Sequence, residues 1–402
     1  MPLRKLKLDA LLEITTAISD NVSEDDLYRI FYFTMVSNPQ LHKIALFVED
    51  GEEWICKFSN SKFLKKDAHY FSFEINIPLE NSEKPVKDVF KFLNSDVDLT
   101  TTLPIFHRDK LLALILISEK EEKEITTDDD YPIKSFIRTL GRIVMTAIEN
   151  KRMGRLRLKQ EALNKELDIA KEVQEMLFPK KLTENNLYHV EASYLPHTIV
   201  GGDYYDYIKL SDDEFLVCIA DVSGKGVPAS ILMSNFQAGL RVLSNHTLKL
   251  SEILSDLNKM VYSNANAERF ITAFVAICNT ATKKIRYINA GHTPPFLTNG
   301  KITESLSHGT TLIGAVDELP YINVTEVSYT KDSLLFMYTD GLVETTNSSD
   351  EEFGEERIKK ILPTYKNMPL KGFHKFVLKE LKAFSENDQY GDDLTILSCK
   401  FH

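Results

Sequence analysis

Two aspartates, Asp203 at the end of GGD and Asp221 at the head of DVSGKGVPAS, flank a short apolar hairpin pattern. YYDYIKL (204–210) and EFLVCIA (214–220) read as strands, and Ser211-Asp212-Asp213 as the polar turn between them. Folding this hairpin about Asp212 sets Asp203 directly opposite Asp221. Two carboxylates so close repel each other unless a cation lies between them. The arrangement recurs further along. SLLFMYT (333–339) ends in Asp340-Gly341, and LTILSCKF (394–401) begins just after Gly391-Asp392-Asp393. If these strands run antiparallel, Asp340 and Asp392 also meet at one sheet end. A single Asp-Gly after a strand is ordinary turn chemistry. Four acids in this topology argue for a shared site.

Oxygen ligands without a His or Cys cluster suit Mg2+ or Mn2+ better than zinc. Two such ions, roughly 3.5–4 Å apart, share a bridging water and acidify it. They also neutralise a phosphoryl group, whose transfer depends on positioning and positive charge more than on covalent help. No Ser–His or Cys–His setting for a protein nucleophile stands out, so hydrolysis by metal-activated hydroxide is the economical reading.

The neighbours of these acids divide into supporting and candidate contact residues. Lys225 suggests a phosphate loop, but the Walker spacing needs Gly at position 219 and Ser or Thr at 226, where this chain has Ile219 and Gly226. Lys225 is either a substrate contact or a solvated turn lysine. Gly224 and Gly226 are expected at positive φ, close to the metals, and Pro228 in the first turn of the helix that follows. Folding FITAFVAIC against KIRYINA places Phe270 and Arg269 near His292. His292 either hydrogen-bonds a turn or assists near the site as a general acid. Arg269 is a further candidate phosphate contact. Asp206 shares a strand face with Tyr204 and need not touch metal. Thr395 is expected to hydrogen-bond its neighbouring acid, and Asn299-Gly300 marks a hairpin.

The ordered blocks AKEVQEMLFP, GGDYYDYI, IADVSGKGVPAS, FITAFVAI, INAGHTPPF, YTDGLVETTN and GDDLT resemble the SpoIIE/RsbU branch of the metal-dependent PPM protein phosphatases, over about residues 168 to 401. The resemblance implies an αββα sandwich and hydrolysis of protein phosphoserine or phosphothreonine without a phosphoenzyme. It implies that Asp221 bridges two metals, with Asp203, Asp340 and Asp392 completing the shells directly or through water, and with the Val222 carbonyl as an additional contact. In GDDLT it favours Asp392, three residues before the Thr, with Asp393 as the fallback. The implied substrate is a phosphorylated anti-sigma-factor antagonist or a similar small regulatory protein.

The elements that must position these residues fill only part of the 402-residue chain, which is long enough for two or three domains. The overall class is α+β. Residues 1–150 read as an α+β domain: a helix carrying Leu8, Leu11, Leu12, Ile14 and Ile18, and a second over Glu24–Val36. Strands KIALFVED, EWICKFSN, YFSFEINIPL, TTLPIF and LLALILISEK follow, the last two joined by a turn at 107–110, and then a helix from about Asp130. This order resembles a GAF domain, a sensor and dimerisation module. His42 and His107 are lone histidines there with no evident chemistry. Residues 151–180 read as a helical linker in which Leu156, Leu163, Ala170 and Leu177 recur every seven residues, with Met153 and Leu167 beside them, as in a short coiled coil. One amphipathic helix packed on its own domain is the alternative. Pro179 ends it, and residues 181–402 form the catalytic domain.

Bulk composition narrows the rest. A 43% hydrophobic and 27% charged chain is that of a globular protein, and a net charge of -11 argues against a nucleic-acid binder or a two-metal nuclease. The longest apolar run, Leu111–Ile117, is far below the roughly 20 residues of a membrane span. Asp9 and Glu13 interrupt the N-terminal apolar stretch, against a signal peptide. Four scattered cysteines, with no CxxC pair, suit a reducing cytoplasm. The expectation is a cytoplasmic phosphatase, dimeric through the linker helix and switched by a small-molecule or protein signal at the N-terminal domain. Its rivals are a catalytically inactive phosphatase-like scaffold and a ligand-sensing, partner-binding protein.

Overall fold

Strand periodicity accounts for most of the architecture. The computed structural model describes residues 3–38, 41–50, 53–60, 70–71, 101–108, 110–119, 133–265, 268–385 and 391–402. The chain divides into two compact units, Met1–Glu161 and Ala162–His402. The first holds α1 (Leu3–Ser19), α2 (Glu24–Val36), β1 (Leu41–Asp50), β2 (Glu53–Ser59), β3 (Tyr70–Phe71), β4 (Thr101–His107) and β5 (Lys110–Glu119). It also holds the first part of α3 (Ile133–Glu175), which runs unbroken into the second unit.

The strands of the first unit form one antiparallel sheet in the order β3-β2-β1-β5-β4. Ile44, Leu46 and Val48 alternate to one face of β1, where they meet Phe31 and Met35 of α2 and Leu140 and Val144 of α3. Ser23 caps α2 by accepting from the Asp26 N–H. Of the apolar set expected on α1, Ile14 is buried and Leu11 and Ile18 pack at the edge of the core, whereas Leu8 and Leu12 are each 67% exposed. Tertiary packing uses a narrower stripe than the sequence offers. The expected turn at 107–110 is present: His107 pairs with Lys110, and Arg108 takes φ 54. Most of the expected strand YFSFEINIPL, and the expected helix start near Asp130, lie outside the described residues.

The second unit begins with the end of α3 and continues through β6 (Tyr188–Leu195), β7 (Tyr204–Lys209), β8 (Glu214–Val222), α4 (Val227–His246), α5 (Leu250–Ala265), β9 (Ile271–Asn279) and β10 (Lys284–Ala290). There follow β11 (Phe296–Thr298), β12 (Thr303–Ser305), β13 (Gly309–Thr310), β14 (Thr325–Ser328), β15 (Leu334–Tyr338), α6 (Asp340–Val343), α7 (Gly354–Ile361), a 3-10 turn (Leu362–Asn367), α8 (Leu370–Ser385) and β16 (Leu394–Phe401). One sheet runs β13-β10-β9-β8-β7 with β14 on β10, and the other runs β12-β11-β15-β16-β6.

Alternation along two strands generates the layers. Leu216, Cys218 and Ala220 of β8 face α4 and α5. Phe215, Val217 and Ile219 point the opposite way, onto Leu335 and Met337 of β15 and Leu397 and Cys399 of β16. Leu334, Phe336 and Tyr338 in turn face Phe373, Val377 and Leu381 of α8. The order is therefore helix, sheet, sheet, helix. Each large side chain buried this way contributes roughly 1.5–3 kcal/mol.

The helix end at the 175–178 turn belongs to this core. Phe178 is buried and stacks at 4.9 Å on Tyr205, and Leu177 packs beside it. The helix stops at Glu175, ahead of Pro179, and the second unit starts at Ala162, inside the segment expected to be a linker. Asp206, which sequence reading kept away from metal, is fully buried. It is clamped by Arg241 of α4 (Nε–Oδ2 2.8 Å, Nη2–Oδ1 3.0 Å) and by the Tyr204 hydroxyl. Arg241 also donates to the Leu177 carbonyl at 3.4 Å. Arg241→Met leaves the Asp206 carboxylate uncompensated and should cost roughly 3 kcal/mol in urea unfolding; an unchanged midpoint would show that this pair contributes nothing.

Candidate metal centre

The hairpin register delivers the first pair of acids. Tyr204 pairs with Ala220 across β7 and β8, so the next rung sets Asp203 against Asp221. Asp203 is 1% exposed. Its Oδ2 accepts from Thr339 Oγ1 at 2.8 Å and Thr395 Oγ1 at 2.5 Å, while the Thr395 N–H donates to Thr339 Oγ1 at 2.9 Å. Both threonines come from the facing sheet, so Asp203 ties the ends of the two sheets together. Thr395 thus supports an acid, as expected, but the acid is Asp203 and not a sequence neighbour. Thr339 escaped sequence reading. Its only signal was a hydroxyl residue between an apolar strand and Asp340.

The second pair comes from β15 and β16. These strands are antiparallel, with Tyr338 paired to Ile396, which brings the acids just beyond their ends to the same edge. Asp340 opens the short helix α6, and Gly341 passes so close that a Cβ there would strike the Asp393 carbonyl. Burial, then Asp392, raises the Asp340 carboxyl above its ordinary range. Burial pushes Asp221 up to about 7, followed by the charges of Asp340, Asp392 and Asp393. Asp203 is held well above the ordinary range by burial and then by Asp221. The four expected acids therefore form one mutually repelling group.

Asp392 and Asp393 separate by environment. Both Asp393 oxygens are occupied by backbone donors: Oδ1 accepts from His197 N–H and Oδ2 from Gly202 N–H, each at 2.7 Å. Asp392 is half exposed and carries Lys225, whose Nζ lies 2.9 Å from Oδ2 and 2.7 Å from the Gly391 carbonyl. Lys225 is thus seated on the acidic group and is not a free turn lysine. Gly224 and Gly226 take φ 90 and 73, which lets the turn between β8 and α4 close, and Pro228 stands in the first turn of α4. Gly202 approaches the Val222 carbonyl so nearly that a Cβ would come within 2.9 Å of it.

The remaining candidates lie around this group. Arg269 Nη1 donates to the Ser223 carbonyl at 3.0 Å, beside Gly224. His292 is 4% exposed, and its Nδ1 lies 2.9 Å from Thr272 Oγ1; Thr272 is the register partner of Asp221. The side-chain partner of His292 is thus Thr272, two residues beyond Phe270. Burial lowers the imidazole to about 4, slightly offset by the Tyr338 backbone, so the ring is neutral. Its backbone closes the expected turn, with the N–H donating to Asn289 Oδ1 at 2.7 Å.

Among the described residues no three His, Cys, Asp or Glu side chains converge tightly enough to hold an ion in their present rotamers. The donor chemistry nevertheless fits hard divalent cations: crowded, partly desolvated carboxylates beside a close-packed backbone carbonyl. Asp221 titrates at about 7 in the fold against an ordinary 3.8. Its stabilising contribution is therefore complete below about 3.8 and is lost as pH rises through about 7. Without divalent ions, Asp221→Asn should equal the wild type in melting temperature near pH 4 and exceed it by several degrees at pH 8, with Mn2+ raising only the wild type. A constant difference across pH would contradict the crowding.

Residues 211–402 match the family described as Stage II sporulation protein E (SpoIIE), a stretch that includes Asp221, Asp340 and Asp392. Protein IcfG of Synechocystis sp. is 29% identical over 227 residues, covering 49% of this chain and 35% of that protein. Phosphoserine phosphatase RsbU of Bacillus subtilis is 29% identical over 187 residues, covering 46% of this chain and 55% of that protein. The chain therefore spans between about a third and about half the length of these relatives. The SiaA-PP2C domain of Pseudomonas aeruginosa superposes with a TM-score of 0.55 at 21% identity, over 61% of this chain and 99% of that domain, which shows a shared fold. With the family match and the layered sheets together, residues 211–402 of this chain carry a SpoIIE-type domain, on a fold shared with the SiaA-PP2C domain.

Proposed function

We propose that this protein is a metal-dependent phosphatase that hydrolyses phosphoserine or phosphothreonine on a regulatory protein. The observation that carries the reading is the convergence of two carboxylate pairs, Asp203/Asp221 and Asp340/Asp392, from facing sheets onto one edge. The printed name of the Bacillus subtilis relative, phosphoserine phosphatase RsbU, supports the substrate class. A phosphorylated anti-sigma-factor antagonist, or a similar small protein, is the substrate proposed by that likeness.

Asp221 interacts with Asp203 on its own sheet and with Asp340 and Asp392 on the other, which suits it to bridge two ions. Asp203, Asp340 and Asp392 complete the set with the Val222 carbonyl, and Asp393 acts by fixing the backbone at His197 and Gly202. A bound Mn2+ or Mg2+ pair supplies Lewis acidity toward phosphoryl oxygens and acidifies water. Thr339 and Thr395 orient Asp203, and His292, neutral and buried, steadies Thr272 behind Asp221. Lys225 places positive charge beside Asp392 and Arg269 beside the Ser223–Gly224 turn, where a substrate phosphate would enter.

Residues 1–150 are proposed to act as a GAF-like sensor, 151–180 as the connector and 181–402 as the catalytic region. Met153, Leu156 and Leu163 are 56%, 66% and 50% exposed on α3, which supports a coiled-coil homodimer through this seam. No described helix is long and apolar enough to cross a membrane. All four cysteines are free, which supports a cytoplasmic setting.

Asp221→Asn should reduce Mn2+-dependent phosphate release from a phosphoserine peptide by at least about 100-fold, since charge stabilisation of this kind is worth several kcal/mol; near-normal turnover in the folded variant rejects the assignment. A chain beginning at Lys165 should lose both the dimer and the wild-type level of activity. The same activity and oligomeric state as the full chain would reject control through α3.

A further inference from the structure

The last turn of α3 holds a buried side chain that the phosphatase chemistry leaves unused. Gln174 is 6% exposed and makes a closed pair with one glycine: Nε2 donates to the Gly201 carbonyl at 2.7 Å, and Oε1 accepts from the Gly201 N–H at 3.2 Å. Both backbone groups of Gly201 are thereby satisfied by one amide, as a β-strand neighbour would satisfy them. Around the same glycine stand the Tyr194 hydroxyl and Asp393 Oδ2, so near that a Cβ at Gly201 would strike both. The next residue, Gly202, donates to Asp393 and crowds the Val222 carbonyl. The one after is Asp203.

We infer that Gln174 is a positioning residue that couples the end of α3 to metal affinity by setting where the Gly201–Gly202 backbone carries Asp203. The inference rests on the phosphatase reading of the site. Asp203 is 1% exposed and held by two threonines of the facing sheet, so it cannot follow a displaced backbone without breaking those bonds. Movement of Gln174 therefore reaches the carboxylate pair without any change in the acids themselves. The coupling is reciprocal: metal that fixes Asp203 also favours the helix end that pairs with Gly201.

Gln174→Met keeps the side-chain length and removes both hydrogen bonds. Gln237→Met is the matched control, because Gln237 donates at 3.3 Å to the Leu177 carbonyl just beyond the end of α3 and does not touch Gly201. The readouts on the full-length protein are Mn2+ affinity by calorimetry, far-ultraviolet circular dichroism, melting temperature, and kcat and KM with a phosphoserine peptide. The expected result is Mn2+ binding weakened by roughly tenfold in Gln174→Met, the scale of one or two hydrogen bonds, with kcat at fixed Mn2+ reduced and KM unchanged. Gln237→Met is expected to stay within about twofold of wild type in Mn2+ affinity at a comparable loss of melting temperature. Wild-type Mn2+ affinity in folded Gln174→Met overturns the inference, as does an equal loss in both variants. If Gln174→Met does not fold, hydrogen exchange of wild-type residues 197–203 decides: Mn2+ should slow the Gly201 amide, and an unaffected rate overturns the coupling. A wild-type protein that neither binds Mn2+ nor releases phosphate overturns the phosphatase reading itself.

Discussion

The second unit is organised around a repulsion. Asp203, Asp221 and Asp340 are partly or fully removed from water, and the charges of their neighbours push their proton affinities upward. Such a group is costly in a folded protein unless something compensates it. Compensation here takes several forms: threonine hydroxyls on Asp203, backbone N–H groups on Asp393, and the Lys225 ammonium on Asp392. What remains is an unmet demand for positive charge at the meeting edge of two sheets. Under the proposed function a divalent ion would answer that demand, and a phosphoryl group arriving with its own negative charge would need the same ions.

The sandwich supplies the rigidity that holds the acids in this unfavourable proximity. Strand β8 is apolar on both faces, so a shift of its register by one residue would exchange the helix-facing and sheet-facing side chains together. That makes the Asp203–Asp221 rung expensive to slip. Asp206, also buried in β7, is treated differently: Arg241 and Tyr204 neutralise it, and it serves packing. Two buried aspartates three residues apart thus have opposite fates, decided by whether a cation or another anion faces them.

The end of α3 occupies an unexpected place in this scheme. Phe178 inserts among Tyr194, Tyr204 and Tyr205, and the Leu177 carbonyl is gripped by Gln237 and Arg241 of α4. The last turns of the helix are thus part of the catalytic fold. Leu156 and Leu163, further up the same helix, are 66% and 50% exposed, which separates a buried anchoring segment from an exposed apolar seam.

Local pattern was enough to place the four acids at strand ends, because alternation and a short polar turn leave an antiparallel hairpin few registers. The positive φ at Gly224 and Gly226, the start of α4 near Pro228 and the span of α2 were likewise readable, since turns and caps depend on neighbouring residues only. The strand β6 and the roles of Thr339, Asp393 and Gln174 were not. Each gains its meaning from a partner far along the chain: Thr339 from Asp203, Asp393 from Gly202, Gln174 from Gly201. A hydrogen bond between distant residues leaves no period in the sequence, and the bond between His292 and Thr272 was hidden for the same reason. The sequence by itself determined which groups could bind a divalent ion; only the tertiary structure decided which oxygens stay free to do so, because burial and long-range donors claim the others first.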